Sequence, residues 1–461
     1  MAQLAAIAPF RFHRAWVILV VLIVVQVIGQ AISMSAGIMV VPLRDEDGDF
    51  GWSMAIIGGA IGVYYLIGAL MSPVAGMMGD RFGARPIMFG CGVLYLVSMC
   101  MVGMVSEVWH FFIAFGIFLA ITQAFTFVPL QASIGGWFRR RLGLATGLLQ
   151  GAGGIGSAVI APGIAELLGV AGWQDTFLLI GFTGGGLIIA CSLFFRSAPV
   201  NAGIRPYGAQ PDDPPDPVIP KDILALRLKV FGQATRRTRA FWNLPTIHGL
   251  GCAGHGIVLI YAIPYGVELG IELTQSALIL SFITIFSIIG RFIVPILAEL
   301  LGGKPVMVVA LFLQGITVLV LFWAQDVWAF YLFGAAFGLG FGGEMSAYLV
   351  VNRQYFGQGP LATLYGYQIM GAMLGHAVAT SLGGLVYQAT GSFMPVFAMS
   401  MGFSLVGVLA ILTLESTKRV LIPNWEDSLP PEARSDAIGR PRPEPQPAQP
   451  PGAIPEATPG D

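Results

Sequence analysis

Two charged side chains stand where the sequence offers them no water. Arg291 interrupts the apolar run 274–302, and Glu344 interrupts the run 327–356. An ionised group deep in hydrocarbon is costly, so it turns toward a partner or a water-filled cavity. Arg291 carries a planar fork that can grip a carboxylate through two parallel hydrogen bonds, although the same fork could hold helices together in an ion pair. At 1.5 Å per helical residue, Arg291 lies about 4–5 Å from the middle of its run, and Glu344 sits at nearly the same depth. Glu344 is therefore placed to take up a proton when an arriving anion occupies the arginine. Its alternatives are a permanent pair with Arg291 or the cap of a helix kink after GLGFGG.

Polar residues at helical spacing supply weaker candidates. Gln26 and Gln30 share a face, as do His248, Cys252 and His255, with Tyr261 and Tyr265 following; Thr122, Gln123 and Thr126 lie close together, as do Tyr365, Gln368 and His376. The substrate-binding set is Arg291, Gln30, Gln123, Tyr265, Tyr365 and Gln368, and the proton-coupling set is Glu344, His255 and His376. Such faces serve more often as hydrogen-bonding glue between helices than as ligand sites. The four cysteines fall inside apolar runs without metal-ligand spacing, so neither a metal nor a disulfide framework is expected. Gly151-Ala-Gly-Gly-Ile-Gly156 looks like a dinucleotide loop, but no strand precedes it. No nucleotide site, nucleophile–base arrangement or cofactor motif appears, so an enzyme is not expected.

The elements that must position these groups are membrane helices. Of 461 residues, 56% are hydrophobic and 11% charged, less than half the charge of an ordinary soluble domain. Nothing in the charge pattern suggests nucleic acid. Runs of about 20 apolar residues cross a bilayer as helices, and twelve such runs can be read: 15–43, 53–79, 86–106, 108–137, 142–169, 173–195, 241–267, 274–302, 305–325, 327–356, 361–390 and 393–414. The expected fold is an all-α membrane protein of twelve transmembrane helices in two pseudo-symmetric six-helix halves, 15–195 and 241–414. Of 24 Lys and Arg, only Arg44 falls in a loop opposite the termini and only Arg291 lies deep in a span. That bias places both termini in the cytoplasm of a cell whose inner membrane holds the protein.

Residues 1–14 read as a cytoplasmic N-terminus and 196–240 as a cytoplasmic linker, where Lys221 to Arg239 could form a basic helix on the anionic leaflet. The Pro-rich tail 415–461 lacks a core and reads as disordered. The halves repeat. GDRFGARP (Gly79 to Pro86) ends span two and AELLGGKP (Ala298 to Pro305) ends span eight. A shift of 219 residues superposes Asp80 on Glu299, Gly83 on Gly302, Arg85 on Lys304, Gly147 on Gly366 and Gly156 on Gly375. Duplicated halves suit a carrier that rocks around a central site. Asp80, Arg81, Gly83, Arg85 and Glu299 are the gating candidates, expected to latch neighbouring helix ends.

GMMGDRFGAR (76–85) resembles the signature loop between spans two and three of the major facilitator superfamily. PLRDEDGDFGWSMAII, GGWFRRRLGLATGLLQGAGGIG and SIIGRFIVPILAELLG resemble the prokaryotic branch of the monocarboxylate porter family, the last of these being its helix with one embedded arginine. The resemblance covers residues 10–415. It implies a monomeric secondary transporter that moves a small organic anion, a monocarboxylate, by alternating access, with protons as a possible partner ion. Two features depart from the family: span one lacks the lysine of animal members, and Ser287 stands where they carry an acidic residue one turn before the arginine. A carrier or exporter of a larger, neutral solute such as a vitamin or drug is the alternative. A non-transporting sensor on the same scaffold is the rival from another class.

Overall fold

The computed structural model describes residues 13–44, 50–210 and 218–438. The acidic loop 45–49, most of the PDDPPDPVIP stretch and the tail beyond 438 lie outside the described residues. Ten described helices are long and apolar enough to cross a membrane. They include Arg14–Ile32 of the first helix, Arg14–Arg44, and also Ala84–Gly103, Val108–Trp137, Arg239–Glu268, Gly303–Phe322, Ala362–Thr390 and Met394–Leu412. Span two is Met54–Phe82 and span eight Leu273–Leu301.

The other three spans, five, six and ten, are helical but divided differently from the apolar runs. Spans five and six form one helical stretch, Leu142–Phe194, bent at Gly172, whose φ of 75° and ψ of 170° are open essentially to glycine alone. Span ten comprises Val327–Ser346 and Tyr348–Phe356. Helices satisfy their backbone groups internally, which hydrocarbon demands. Aliphatic side chains such as Val20, Leu70, Leu332, Leu385 and Leu409 stay exposed on the outside, where lipid rather than water suits them.

The halves meet at two crossings. Span two lies against span eleven so closely that a Cβ on Gly76 would overlap the Ala362 carbonyl, and one on Gly366 would overlap that of Ser72. Span five lies against span eight in the same way, with Gly143 against the Pro295 carbonyl and Gly147 against that of Phe292. Gly147 and Gly366 are the repeat partners expected from sequence, and each brings its helix onto the backbone of the other half.

The even-numbered connections, the N-terminal end of span one and the tail gather on one face, the terminal face. Trp16 packs edge-on against Phe138 at the end of span four and against Tyr207 of the linker. The linker forms a helix, Lys221–Arg236, as its composition suggests. Its buried face is Arg227, Phe231 and Thr235, which recur every fourth residue, while Lys229 and Arg236 stay exposed.

Against that buried face lies the described part of the tail, 415–438. Arg227 forms an ion pair with Glu426 at 2.6 Å and also donates to the Ala433 carbonyl at 2.6 Å. Phe231 meets the Trp425 ring edge-on at 5.1 Å. Tyr355 donates its hydroxyl proton to the Glu415 carbonyl, and the Leu421 amide donates to the Tyr355 carbonyl. A polar, Pro-rich segment gains order here from contacts that the rest of the chain supplies.

Candidate functional site

Span eight presents Arg291 half-buried. Its guanidinium lies over the Phe341 ring, 5.4 Å from the centroid, and Nη2 approaches the Met345 sulfur at 3.7 Å. Among the described residues it forms no ion pair, and its buried Nε has no hydrogen-bond partner. Glu344 is fully buried on span ten. Tyr348, one turn along, donates to Oε1 at 2.6 Å, while Oε2 has no partner. The permanent Arg291–Glu344 pair, one of the sequence alternatives, is not formed. Glu344 faces span seven instead, where Gly251 makes room: a Cβ there would stand 2.6 Å from Oε1.

Around these two charges the C-terminal half gathers its imidazoles. His248 stacks on Tyr348 at 4.0 Å. His255 lies 4.4 Å from the Phe341 ring and 5.2 Å from His376, and His376 stacks on Tyr65 of span two at 5.6 Å. His248 faces the Gln368 backbone and His255 the Gln314 side chain. The ligating atoms of Cys252, His255 and His376 lie within 4.8 Å of one another, as do those of His248, Cys252 and Glu344. These groups could hold a metal ion, which the sequence spacing gave no reason to expect, and they equally make a row of side chains able to exchange protons.

The remaining substrate candidates divide. Tyr365 donates to Gln131 at 3.2 Å, and Gln131 donates to Gln26 at 2.9 Å, a chain that joins span eleven to spans four and one. Gln30 borders the glycine face of span five at Gly153, and Gln123 is buried on span four. Gln368 is locked with Asn352 in two reciprocal amide bonds of 3.0 and 2.6 Å. Tyr265 donates to the Leu321 carbonyl at 2.9 Å among Phe330, Phe393 and Phe397. The structure gives these last two helix-packing bonds and does not bring them to Arg291. Sequence reasoning passed over Phe341, Met345, Tyr348 and Tyr65. Phe341 sits three residues before Glu344 and Tyr348 four after it, on the same helical face, whereas the position of Met345 gave no such signal.

At the terminal face, Asp80 accepts from the Ala362 amide at 3.1 Å and from the Thr363 amide and hydroxyl at 2.8 and 2.6 Å. Glu299 accepts from the Leu142 and Gly143 amides at 3.2 and 2.6 Å. Each carboxylate thus caps the first turn of a helix in the other half, where free N–H groups and the helix dipole favour negative charge. Gly83 and Gly302, with φ of 80° and 96°, make the tight turns beside them. Arg85 donates to the Ser192 carbonyl at the end of span six, and Lys304 to those of Leu412 and Leu414 at the end of span twelve. Arg81 departs from the expected latch: it is exposed, with its guanidinium over Phe82. A cavity of about 450 Å³ opens on this face, bordered by Asp80, Arg139, Arg227 and Glu426; neither Arg291 nor Glu344 lines it.

Known proteins place this geometry in context. The chain is 27% identical to human monocarboxylate transporter 11 over 73% of its length and 70% of the relative's. It is 24% identical to bovine monocarboxylate transporter 13, covering 74% and 76%. Its fold matches the crystal structure of the human organic anion transporter MFSD10 with a TM-score of 0.66 at 15% identity, covering 86% of this chain and 99% of that one. FucP in the outward conformation matches with a TM-score of 0.62 at 14% identity, covering 87% and 99%. The family model for the Major Facilitator Superfamily matches residues 38–305 and 258–451. That match spans more than half of the chain, and the chain belongs to the Major Facilitator Superfamily.

Proposed function

We propose that this transporter carries a small organic anion, a monocarboxylate, by alternating access, with Arg291 as the anion's anchor and proton exchange at Glu344. The observation that carries the reading is Arg291: a half-buried guanidinium without an ion pair among the described residues, lying against a ring and a thioether. Such a group gains most from a ligand that brings the missing negative charge. Glu344 lies on the span that supplies Phe341 and Met345, and it has one oxygen free of hydrogen bonds. His255 and His376 continue from it toward the contact between the halves and are the relay for a coupled proton. The monocarboxylate transporters among the relatives favour this substrate class.

Alternating access assigns the terminal latches a role. Asp80 and Glu299 hold the terminal face shut and must release Thr363 and Gly143 when that face opens. The reading also places the chain in the inner membrane as a monomer with both termini cytoplasmic. Reporter fusions at 415 and within 200–235 should be cytoplasmic, and a fusion after Asp47 should lie outside.

The test of function is binding by the purified chain, followed by flux in liposomes. Carboxylates should bind and neutral vitamins or drugs should not. Arg291→Lys keeps the charge but loses the fork, so affinity should fall about ten- to a hundredfold, the worth of one or two charged hydrogen bonds. Unchanged affinity in Arg291→Lys, or tight binding of neutral solutes alone, would contradict the reading.

A further inference from the structure

Span seven carries Cys252 and His255 one turn apart, on one face of its helix. Span eleven brings His376 onto that face because glycine stands on both helices where they cross. A Cβ on Gly375 would lie 3.0 Å from the Cβ of Cys252, and one on Gly256 would lie 3.3 Å from Nδ1 of His376. The sulfur of Cys252 and one ring nitrogen from each histidine consequently lie within 4.8 Å of one another. Three atoms so spaced share a point no more than about 2.8 Å from each, and a shift of about 0.8 Å or less then gives the roughly 2.0–2.3 Å of zinc–nitrogen and zinc–sulfur bonds.

We propose that Cys252, His255 and His376 form a zinc site that ties span seven to span eleven. One thiolate and two imidazoles suit zinc and not magnesium or calcium, and the thiol gives up its proton to water as the ion binds. The surroundings match what such ligands need. His255 faces the Gln314 side chain, whose amide nitrogen is taken by the Gly251 carbonyl and the Ser404 hydroxyl. The Gln314 oxygen is therefore the atom available to one N–H of His255, and that bond would turn the other ring nitrogen to the ion. His376 is half-buried against Tyr65, where the halves meet, so an ion enters there as they part. The neighbouring donors His248 and Glu344 share the same sulfur but are buried throughout and have no such approach. Resting on the reading of His255 and His376 as the proton relay, a bound ion occupies both and stops proton-driven uptake.

The test is zinc titration of the untagged, full-length purified chain by calorimetry, with cobalt(II) absorption to report a thiolate ligand. Zinc should bind one ion to one chain, and cobalt should show a sulfur-to-metal charge-transfer band. Cys252→Ser should abolish that band and weaken zinc by at least about a hundredfold, more than an outer-shell loss costs, whereas Gln314→Ala should weaken it about ten- to a hundredfold. A chain with serine at Cys91, Cys100 and Cys191 together should bind as wild type does. No zinc binding, or binding that Cys252→Ser leaves unchanged, would overturn the site. Zinc should also slow lactate uptake under an inward proton gradient, and Cys252→Ser should keep its own rate at the same zinc concentration. Zinc held through Cys252 without any slowing would establish the site and overturn the relay instead.

Discussion

At the terminal face, the two halves do nearly the same thing with different residues. Asp80 holds the start of span eleven through three hydrogen bonds, and Glu299 holds the start of span five through two. Arg85 and Lys304 then grip the ends of spans six and twelve. Deeper in the membrane the likeness ends. The N-terminal half fills its interior with neutral pairs, Gln26 with Gln131 and Ser98 with Thr122. The C-terminal half places Arg291, Glu344, His248, His255 and His376 within its spans. Closure demands matched contacts from both halves, because a rocking motion makes and breaks them together. Binding needs charge at one place only, so duplication leaves one half free to stay neutral.

The crossings offer the largest effect. Leucine at Gly147 or Gly366 would overlap backbone of the other half, and overpacking of this kind costs about 1–3 kcal/mol, roughly 5- to 150-fold in the closed population. Both variants should depress liposome turnover alike. A defect in only one would break the symmetry argued for closure.

The latches come next, and they can be compared by hydrogen exchange. Asp80→Asn removes the charge at a helix N-terminus and should speed exchange of the Ala362 and Thr363 amides by about tenfold, given roughly 1–2 kcal/mol for a partly buried charge there. Glu299→Gln should speed exchange of the Leu142 and Gly143 amides by less, since it makes two bonds rather than three. Arg81→Leu turns the first repeat into the second at that position and should leave both peptides unchanged.

The smallest effect belongs to the tail. Partial burial pushes the Glu426 carboxyl up, but the hydrogen bonds from Ser435 and Arg227, with the arginine's charge, outweigh it and hold the group below its ordinary range. A depressed folded value stabilises docking above the unfolded value of about 4.3 and loses that contribution as pH falls through the folded one. Protease cleavage within 415–438 should therefore rise at acid pH. Glu426→Gln should raise it at neutral pH, by about fivefold or less for a pair whose carboxylate stays partly open to water.

Much of this architecture could be read from the chain. Hydrocarbon forces helices on apolar runs, so span positions followed from composition, and one shift of 219 residues located both latches. The apolar runs of spans five and six break between 169 and 173, where Gly172 bends the chain, but that helical backbone runs on through the bend was not legible from them. The docking of the tail escaped notice because Arg227 and Glu426 are 199 residues apart and neither segment has a core of its own. At the site, Arg291 and Glu344 announced themselves by their charge. Their neighbours did not, since Phe341, Met345 and Tyr65 are ordinary membrane residues until the spans converge.

The central claim is that the charged interior of the C-terminal half couples a proton to the anion. Uptake into liposomes with and without an inward proton gradient, for wild type and Glu344→Gln, tests it most directly. Glu344→Gln should bind substrate within about threefold of wild type, because Arg291 is untouched and less than 1.4 kcal/mol separates such affinities, yet its uptake should no longer respond to the gradient. Uptake by Glu344→Gln that the gradient still accelerates fully would contradict the account and leave Glu344 as the hydrogen-bonded partner of Tyr348 alone.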